Sequence, residues 1–123
     1  MIMNIDHFVI TTKNISKTLE FYDRLGFQVK DCGTRYELYA GNFKINVHIL
    51  GQELAPHALN VKVGSFDVCF EISGNIDVYK KQLEDKGFKI EVGIVERTGV
   101  KGEMNSFYIR DFDGNLIEFC SYE

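Results

Sequence analysis

The sequence predicts an α+β fold in which two tandem βαβββ modules form a concave, cup-like mixed β-sheet with their helices outside. Three observations carry this. Segments whose apolar residues recur every second position alternate with two segments of helical period. Their order in residues 1–51 is repeated in residues 64–123, with residues 52–63 as the linker. Paired landmarks also keep a nearly constant spacing: Asn14 and Asn75, like Gly26 and Gly87, stand 61 residues apart, and His7 and Asp67 stand 60 apart. An internal duplication accounts for all three. At 123 residues the chain has the length of one domain, so the two halves are expected to share a single domain spanning 1–123.

The elements follow in order. From Met3 to Thr12, Ile5, His7, Val9 and Thr11 fall on one face and Phe8 and Ile10 on the other, the period of a strand. Asn14 or Ser16 then caps a helix in which Ile15, Leu19, Tyr22 and Leu25 recur at three- and four-residue steps, and Gly26 suits its C-terminus. Three short β-prone runs come next, Gln28 to Cys32, Tyr36 to Ala40 and Phe43 to Leu50, divided by the turn-type pairs Gly33-Thr34 and Gly41-Asn42. Residues 51–63 hold the only proline, Pro56, and lose the alternation. Ser65 to Ile72 alternates again, and a helix from Asn75-Ile76 to Lys86-Gly87-Phe88 mirrors the first. The chain ends with a strand from Lys89 to Val95, a Gly-rich loop from Arg97 to Gly102, a strand from Ser106 to Arg110, the turn Asp111 to Asn115, and a last strand from Leu116 to Tyr122.

Each strand packs one face on helices, so the parity of its apolar residues assigns the polar ones to the open face. Phe8 and Ile10 leave His7 open. Ile45, Val47 and Ile49 leave Asn46 and His48 open. Phe66, Val68, Phe70 and Ile72 leave Asp67, Cys69 and Glu71 open, and Ile117 and Phe119 leave Leu116, Glu118 and Cys120 open. One or two histidines and two carboxylates on one concave surface form a metal-ligand set. Its nitrogen and oxygen donors suit a divalent Mn, Zn, Ni, Co or Fe ion better than a soft metal. Cys69 and Cys120 are read as lining rather than nucleophiles, since no base is placed beside them. Arg97 and Lys101, in the Gly-rich loop, are placed to meet an anionic substrate group, and the loop's glycines would let it close as a lid.

Composition removes several classes of function. Fourteen basic residues against 18 acidic ones, a net charge of −4 with no run of like charges, offer no footprint for nucleic acid or an anionic membrane. The start MIMNIDHFVI has no basic region, apolar run or cleavage site, and no apolar stretch approaches a membrane span, so a cytoplasmic protein is expected. Three widely spaced cysteines, an odd number, read as reduced thiols. No GxxxxGK[ST] or HExxH motif occurs, which sets aside nucleotide hydrolysis and zinc-protease chemistry.

The runs Ile5-Asp6-His7-Phe8-Val9-Ile10, Leu19-Glu20-Phe21-Tyr22-Asp23-Arg24-Leu25-Gly26-Phe27 and Phe107-Tyr108-Ile109-Arg110-Asp111-Phe112-Asp113-Gly114-Asn115-Leu116-Ile117-Glu118-Phe119 resemble the vicinal oxygen chelate superfamily. That superfamily includes glyoxalase I, extradiol dioxygenases, fosfomycin-resistance enzymes and bleomycin-binding proteins. The resemblance implies a first-strand ligand at His7 and a last-strand ligand at Glu118. Its histidine on the strand after the linker falls on Asp67, a departure. A fourth ligand, a carboxylate in glyoxalase I, falls on Asn46, with His48 one rung further on the same face. If His48 reaches the metal, the set is His7, His48, Asp67 and Glu118.

The chemistry so implied is a metal acting as Lewis acid on two neighbouring oxygens of a substrate. Glu118 or Glu71 would carry the proton, and Asn46, Cys69, Tyr108, Arg97 and Lys101 would line the substrate site. A lyase or isomerase acting on a small dicarbonyl or hydroxy-carbonyl compound is the first expectation. A ring-cleaving dioxygenase is the second, weakened by Asp67. The third is a metal-free protein that sequesters a small aromatic molecule among Tyr36, Tyr39 and Tyr108. The resemblance also implies a homodimer.

Overall fold

Asparagine opens both helices by the same device. In the computed structural model, which describes residues 1–123, α1 (Ile15–Leu25) is capped by Asn14, whose side-chain oxygen accepts from the Lys17 N–H at 3.1 Å. α2 (Ile76–Asp85) is capped by Asn75, which accepts from the N–H groups of Asp77 and Val78 at 2.8 and 3.1 Å. Gly26 closes α1 at φ 114°, a conformation that costs other residues strain. Ser16 is thus not the cap. Its hydroxyl donates to Asn14 instead.

The chain divides into two compact units, residues 1–64 and 65–123. The first contains β1 (His7–Thr12), α1, β2 (Gln28–Asp31), β3 (Tyr36–Ala40) and β4 (Phe43–Ile49), and the second β5 (Asp67–Glu71), α2, β6 (Val92–Gly99), β7 (Gly102–Arg110) and β8 (Leu116–Ser121). In the first unit the strand order is β1-β4-β3-β2, with β1 and β4 parallel and the rest antiparallel. In the second it is β5-β8-β7-β6, with β5 and β8 parallel. Both units are therefore βαβββ modules with a mixed sheet, as the duplicated pattern predicts. No helix is long and apolar enough to cross a membrane.

Register fixes which residues share the helix-covered face. Phe8 aligns with Ile45 and Leu38, and Ile10 with Val47. Leu38, Ile45 and Val47 are completely or almost completely buried, each contributing about 1.5–3 kcal/mol by leaving water. Tyr22 of α1 and Phe27 meet edge to face, with ring centroids 5.4 Å apart. The second unit repeats the scheme. Val68, Ile117 and Ile109 form one row and Phe70, Phe119 and Phe107 the next, and Tyr79 of α2 packs on Phe119 at 5.2 Å.

The region read as a Gly-rich lid is different. Arg97, Thr98 and Gly99 are the end of β6, paired with Met104, Glu103 and Gly102 of β7, so only Val100 and Lys101 form the turn. Inter-strand pairing places Gly99 and Gly102 in the ladder, so the glycines belong to a hairpin rather than to a free loop. β6 also begins at Val92 rather than Lys89, and its register with β7 shifts between Val92 and Val95. Gly99 is needed for close approach: a Cβ there would lie 2.0 Å from the Tyr122 hydroxyl oxygen and 2.6 Å from the Met104 sulfur.

Gly99→Val is therefore expected to cost about 2 kcal/mol through overpacking, seen as a lower Tm. Gly93 lies on the same strand, and a Cβ added to it would meet nothing within 4 Å, so it is expected to accept alanine without loss. Equal melting of the two variants would contradict the assigned packing.

Candidate functional site

The open face of the second unit gathers most of the residues singled out in the sequence. Across β5, β8 and β7 the register places Cys69, Glu118 and Tyr108 in one row, with Asp67, Leu116 and Arg110 in the next row and Glu71, Cys120 and Ser106 in the row beyond. The row containing Glu118 is held by the turn before β8. There Asp111 Oδ1 accepts from the Asn115 N–H at 2.9 Å, Asn115 Nδ2 donates to Asp111 Oδ2 at 2.8 Å, and the Phe66 N–H donates to Asn115 Oδ1 at 2.9 Å. The turn thereby fixes the start of β8 against the start of β5, just ahead of Glu118.

Glu118 is half-buried, and its Oε2 is buried without a hydrogen-bond partner. Such an oxygen is costly unless something meets it. Cys69, opposite, is an exposed residue whose thiol pKa is raised, first by partial burial and then by the neighbouring Cys120 and Glu118. Burial also raises Cys120. Neither is an activated nucleophile. Tyr108 accepts a hydrogen bond on its hydroxyl from Arg97 Nε at 3.0 Å, and the guanidinium stands 5.6 Å from the ring centroid.

Glu71 and Lys101 are engaged with each other. The Lys101 ammonium donates to both Glu71 oxygens, at 2.9 and 3.2 Å, which raises the lysine's pKa, and it also lies 5.3 Å over the Tyr122 ring. A carboxylate held in an ion pair on the sheet face is a poorer proton carrier than the partnerless oxygen of Glu118.

In the first unit the corresponding face holds His7, Val9 and Thr11 on β1 beside Lys44, Asn46 and His48 on β4. His7 is partly exposed and its Nδ1 lies 2.7 Å from Asp6 Oδ1. His48 is buried beside Thr11, four residues along β4 from Lys44, the partner of His7. At about 3.3 Å per residue the two histidines are some 13 Å apart along the strands. The structure does not bring His48 to His7, because two rungs of the ladder separate them on the shared face. Within neither unit do three His, Cys, Asp or Glu side chains gather closely enough to hold a metal ion.

Sequence periodicity gave no notice of what surrounds Asn46. Glu37 of β3 pairs across from Asn46 and is almost fully buried. Its carboxylate receives Tyr39 Oη at 2.7 Å, Arg35 Nη2 at 2.8 Å and the Lys44 ammonium. Lys44 first, then Tyr39 and Arg35, hold the Glu37 carboxyl well below the usual carboxylate range. Asn46 Oδ1 and Arg35 Nε are both buried without partners. His48 is pushed down, by burial first and then by the Arg35 charge, so its imidazole is held neutral. A signal was nonetheless present: a hairpin turning at Gly41-Asn42 pairs 37 with 46, and Arg35, Glu37 and Tyr39 alternate with apolar Leu38. A depression of about 610 Å³ at the β2 edge, lined by Asp23, Phe27, Gln28, Val29, Lys30 and Tyr39, touches this group only through Tyr39.

Comparison with known proteins gives a consistent result. Residues 4–119 match the family described as the Glyoxalase/Bleomycin resistance protein/Dioxygenase superfamily. The chain is 43% identical over 123 residues to the glyoxalase domain-containing protein RDO1 of Mycosarcoma maydis, covering 99% of this chain and 70% of that protein. It is 44% identical over 124 residues to the virulence protein STM3117 of Salmonella typhimurium, covering 99% and 86%. The crystal structure of that virulence protein superimposes with a TM-score of 0.96 at 42% identity, covering 100% of this chain and 99% of the other. The integron cassette protein VCH_CASS1 from the mobile metagenome of V. cholerae superimposes with a TM-score of 0.94 at 44% identity, covering 100% and 98%.

Because the folded state holds Glu37 ionised, it contributes stability that is present above the unfolded-chain pKa of about 4.3 and lost as the pH falls below it. Glu37→Gln is expected to lose about 2 kcal/mol at pH 7, since it leaves Arg35 and Lys44 facing one another. It is also expected to have a flatter stability profile than wild type below about pH 4. Denaturant melts across that range check both; parallel profiles would remove Glu37 from the acid transition.

Proposed function

We propose, from the premise that this chain belongs to the glyoxalase/bleomycin resistance protein/dioxygenase superfamily, that it is a divalent-metal-dependent lyase or isomerase acting on a small dicarbonyl or hydroxy-carbonyl compound. The observation that carries the reading is the buried, partnerless Oε2 of Glu118. An oxygen in that state fits a ligand to a cation, which would repay its desolvation. His7 fits as well, because Asp6 engages its Nδ1 at 2.7 Å and leaves Nε2 as the donor, the arrangement that orients metal-binding imidazoles. Asp67, on the same face as Glu118 and one rung away, is the other ligand proposed in the second unit. His48 is not among the proposed ligands.

When bound, the metal would supply Lewis acidity toward two neighbouring substrate oxygens. The chain's own side chains have these tasks. Glu118, whose Oε2 is the proposed cation ligand, is also the carboxylate proposed to carry the substrate proton, and Tyr108, steadied by Arg97, stands across from it on β7. Cys69, a neutral thiol, walls the row without reacting. Glu71 is held by Lys101 and shapes the rim. The chain is taken to act in the cytoplasm as a homodimer, as the family resemblance implies.

One observation favours a second reading, a metal-free small-molecule-binding protein. Asn46, a neutral amide, stands in the first unit where Glu118 stands in the second.

The test is elemental analysis after incubation with mixed divalent cations, followed by a dicarbonyl screen. Wild type is expected to retain stoichiometric metal and Glu118→Ala to lose it, with turnover abolished by a chelator and restored by Mn²⁺, Ni²⁺ or Zn²⁺. Metal-free wild type that binds the same compounds without converting them would establish the second reading.

A further inference from the structure

We infer that the β3–β4 face of the first unit is a binding subsite for a carboxylate that carries a neighbouring hydroxyl, built from Arg35, Lys44, Asn46 and His48 around Glu37. It rests on the proposed function in one respect only, that the carboxylate is taken to belong to the same substrate.

The register sets the geometry. Glu37 faces Asn46, and continuing the same antiparallel register places Arg35 opposite His48, so the four form a block on one face of two adjacent strands. The Arg35 backbone is fixed by the Cys32 N–H, which donates to its carbonyl at 2.9 Å. Within the block, two polar atoms are buried and unmatched: a donor, Arg35 Nε, and an acceptor, Asn46 Oδ1. A purely structural network satisfies its members, because an unmatched group in a water-poor environment costs more than a made bond returns. A donor and an acceptor left over on neighbouring strands call for a ligand with one of each. A 2-hydroxycarboxylate has them: a carboxylate oxygen for the guanidinium, which recognises that planar group, and a hydroxyl hydrogen for the amide oxygen.

Charge agrees with a monoanion. Arg35 and Lys44 contribute two positive charges and Glu37 one negative, while His48 is held neutral, so the block carries one uncompensated positive charge. Glu53 and His57, which follow β4, Lys30, opposite Glu37 on β2, and Tyr39 and Cys32, which interact with Glu37, are the other ionisable groups near it. Access is through the Arg35 side chain, which is 33% exposed, and that of Lys44, which is 20% exposed; both stand over the buried Glu37.

The experiment is a calorimetric titration of chelator-treated protein with lactate, with lactamide and propanoate as comparators. Lactate is expected to bind saturably. Lactamide, without the charge, and the variant Arg35→Gln are each expected to weaken binding about tenfold, the loss of one charge-assisted hydrogen bond. Propanoate, without the hydroxyl, is expected to bind wild type and Asn46→Ala equally, whereas lactate loses its advantage in Asn46→Ala. Thermal melts establish that each variant is folded; if Arg35→Gln is not, the Asn46→Ala comparison decides alone. No saturable binding of lactate, lactamide bound as well as lactate, or lactate binding unchanged in folded variants would overturn the inference. Because the titrated protein is stripped of metal, a chain that loads metal but ignores lactate refutes this subsite alone, and one that binds lactate but retains no metal refutes the proposed function alone.

Discussion

Everything in this protein depends on a four-stranded sheet having two faces and one helix. A single helix covers one face, so β4 and β8, central in their sheets, must present apolar side chains at every second position and are free to present polar ones between. Ile45 and Val47 on β4, and Ile117 and Phe119 on β8, meet that demand and are buried. The residues between them, Asn46 and Glu118, are among those left with unmatched polar atoms. Packing on one side thus locates chemistry on the other.

Duplication gives the two units one frame and divergence gives them different contents. Val9 faces Asn46 in the first as Cys69 faces Glu118 in the second, and the third strand contributes Glu37 in one and Tyr108 in the other. The second unit therefore has a carboxylate beside a thiol and a phenol, a poor environment for a stray charge and a suitable one for a proton acceptor or cation ligand. The first has a carboxylate already neutralised by Lys44, Arg35 and Tyr39, which turns its surroundings toward anions. Equivalent positions carry opposite electrostatic roles.

The strand and helix content was legible because period-two and helical periods differ and because Asn caps and glycine C-termini punctuate them. The face assignments of His7, Asp67 and Glu118 followed from parity alone. The hairpin between β6 and β7 was misread as a loop because Gly99 and Gly102 carry no apolar signal, while their pairing is a matter of backbone hydrogen bonds and of the Tyr122 ring that Gly99 admits. For His48, parity says which face it takes but not how far along the strand it stands from His7, which only the register gives.

What the chain of residues decides unaided is local and periodic: where elements start and stop, which side each residue takes, and the family to which the motifs belong. Whether two residues on one face meet is decided only in three dimensions, since it depends on register between strands distant in sequence. Glu71 found Lys101, and Glu37 found Lys44 and Arg35, by pairings that no periodicity encodes. The same holds for the two polar atoms at Arg35 and Asn46, because being unmatched is a property of everything packed around an atom rather than of the residue that carries it.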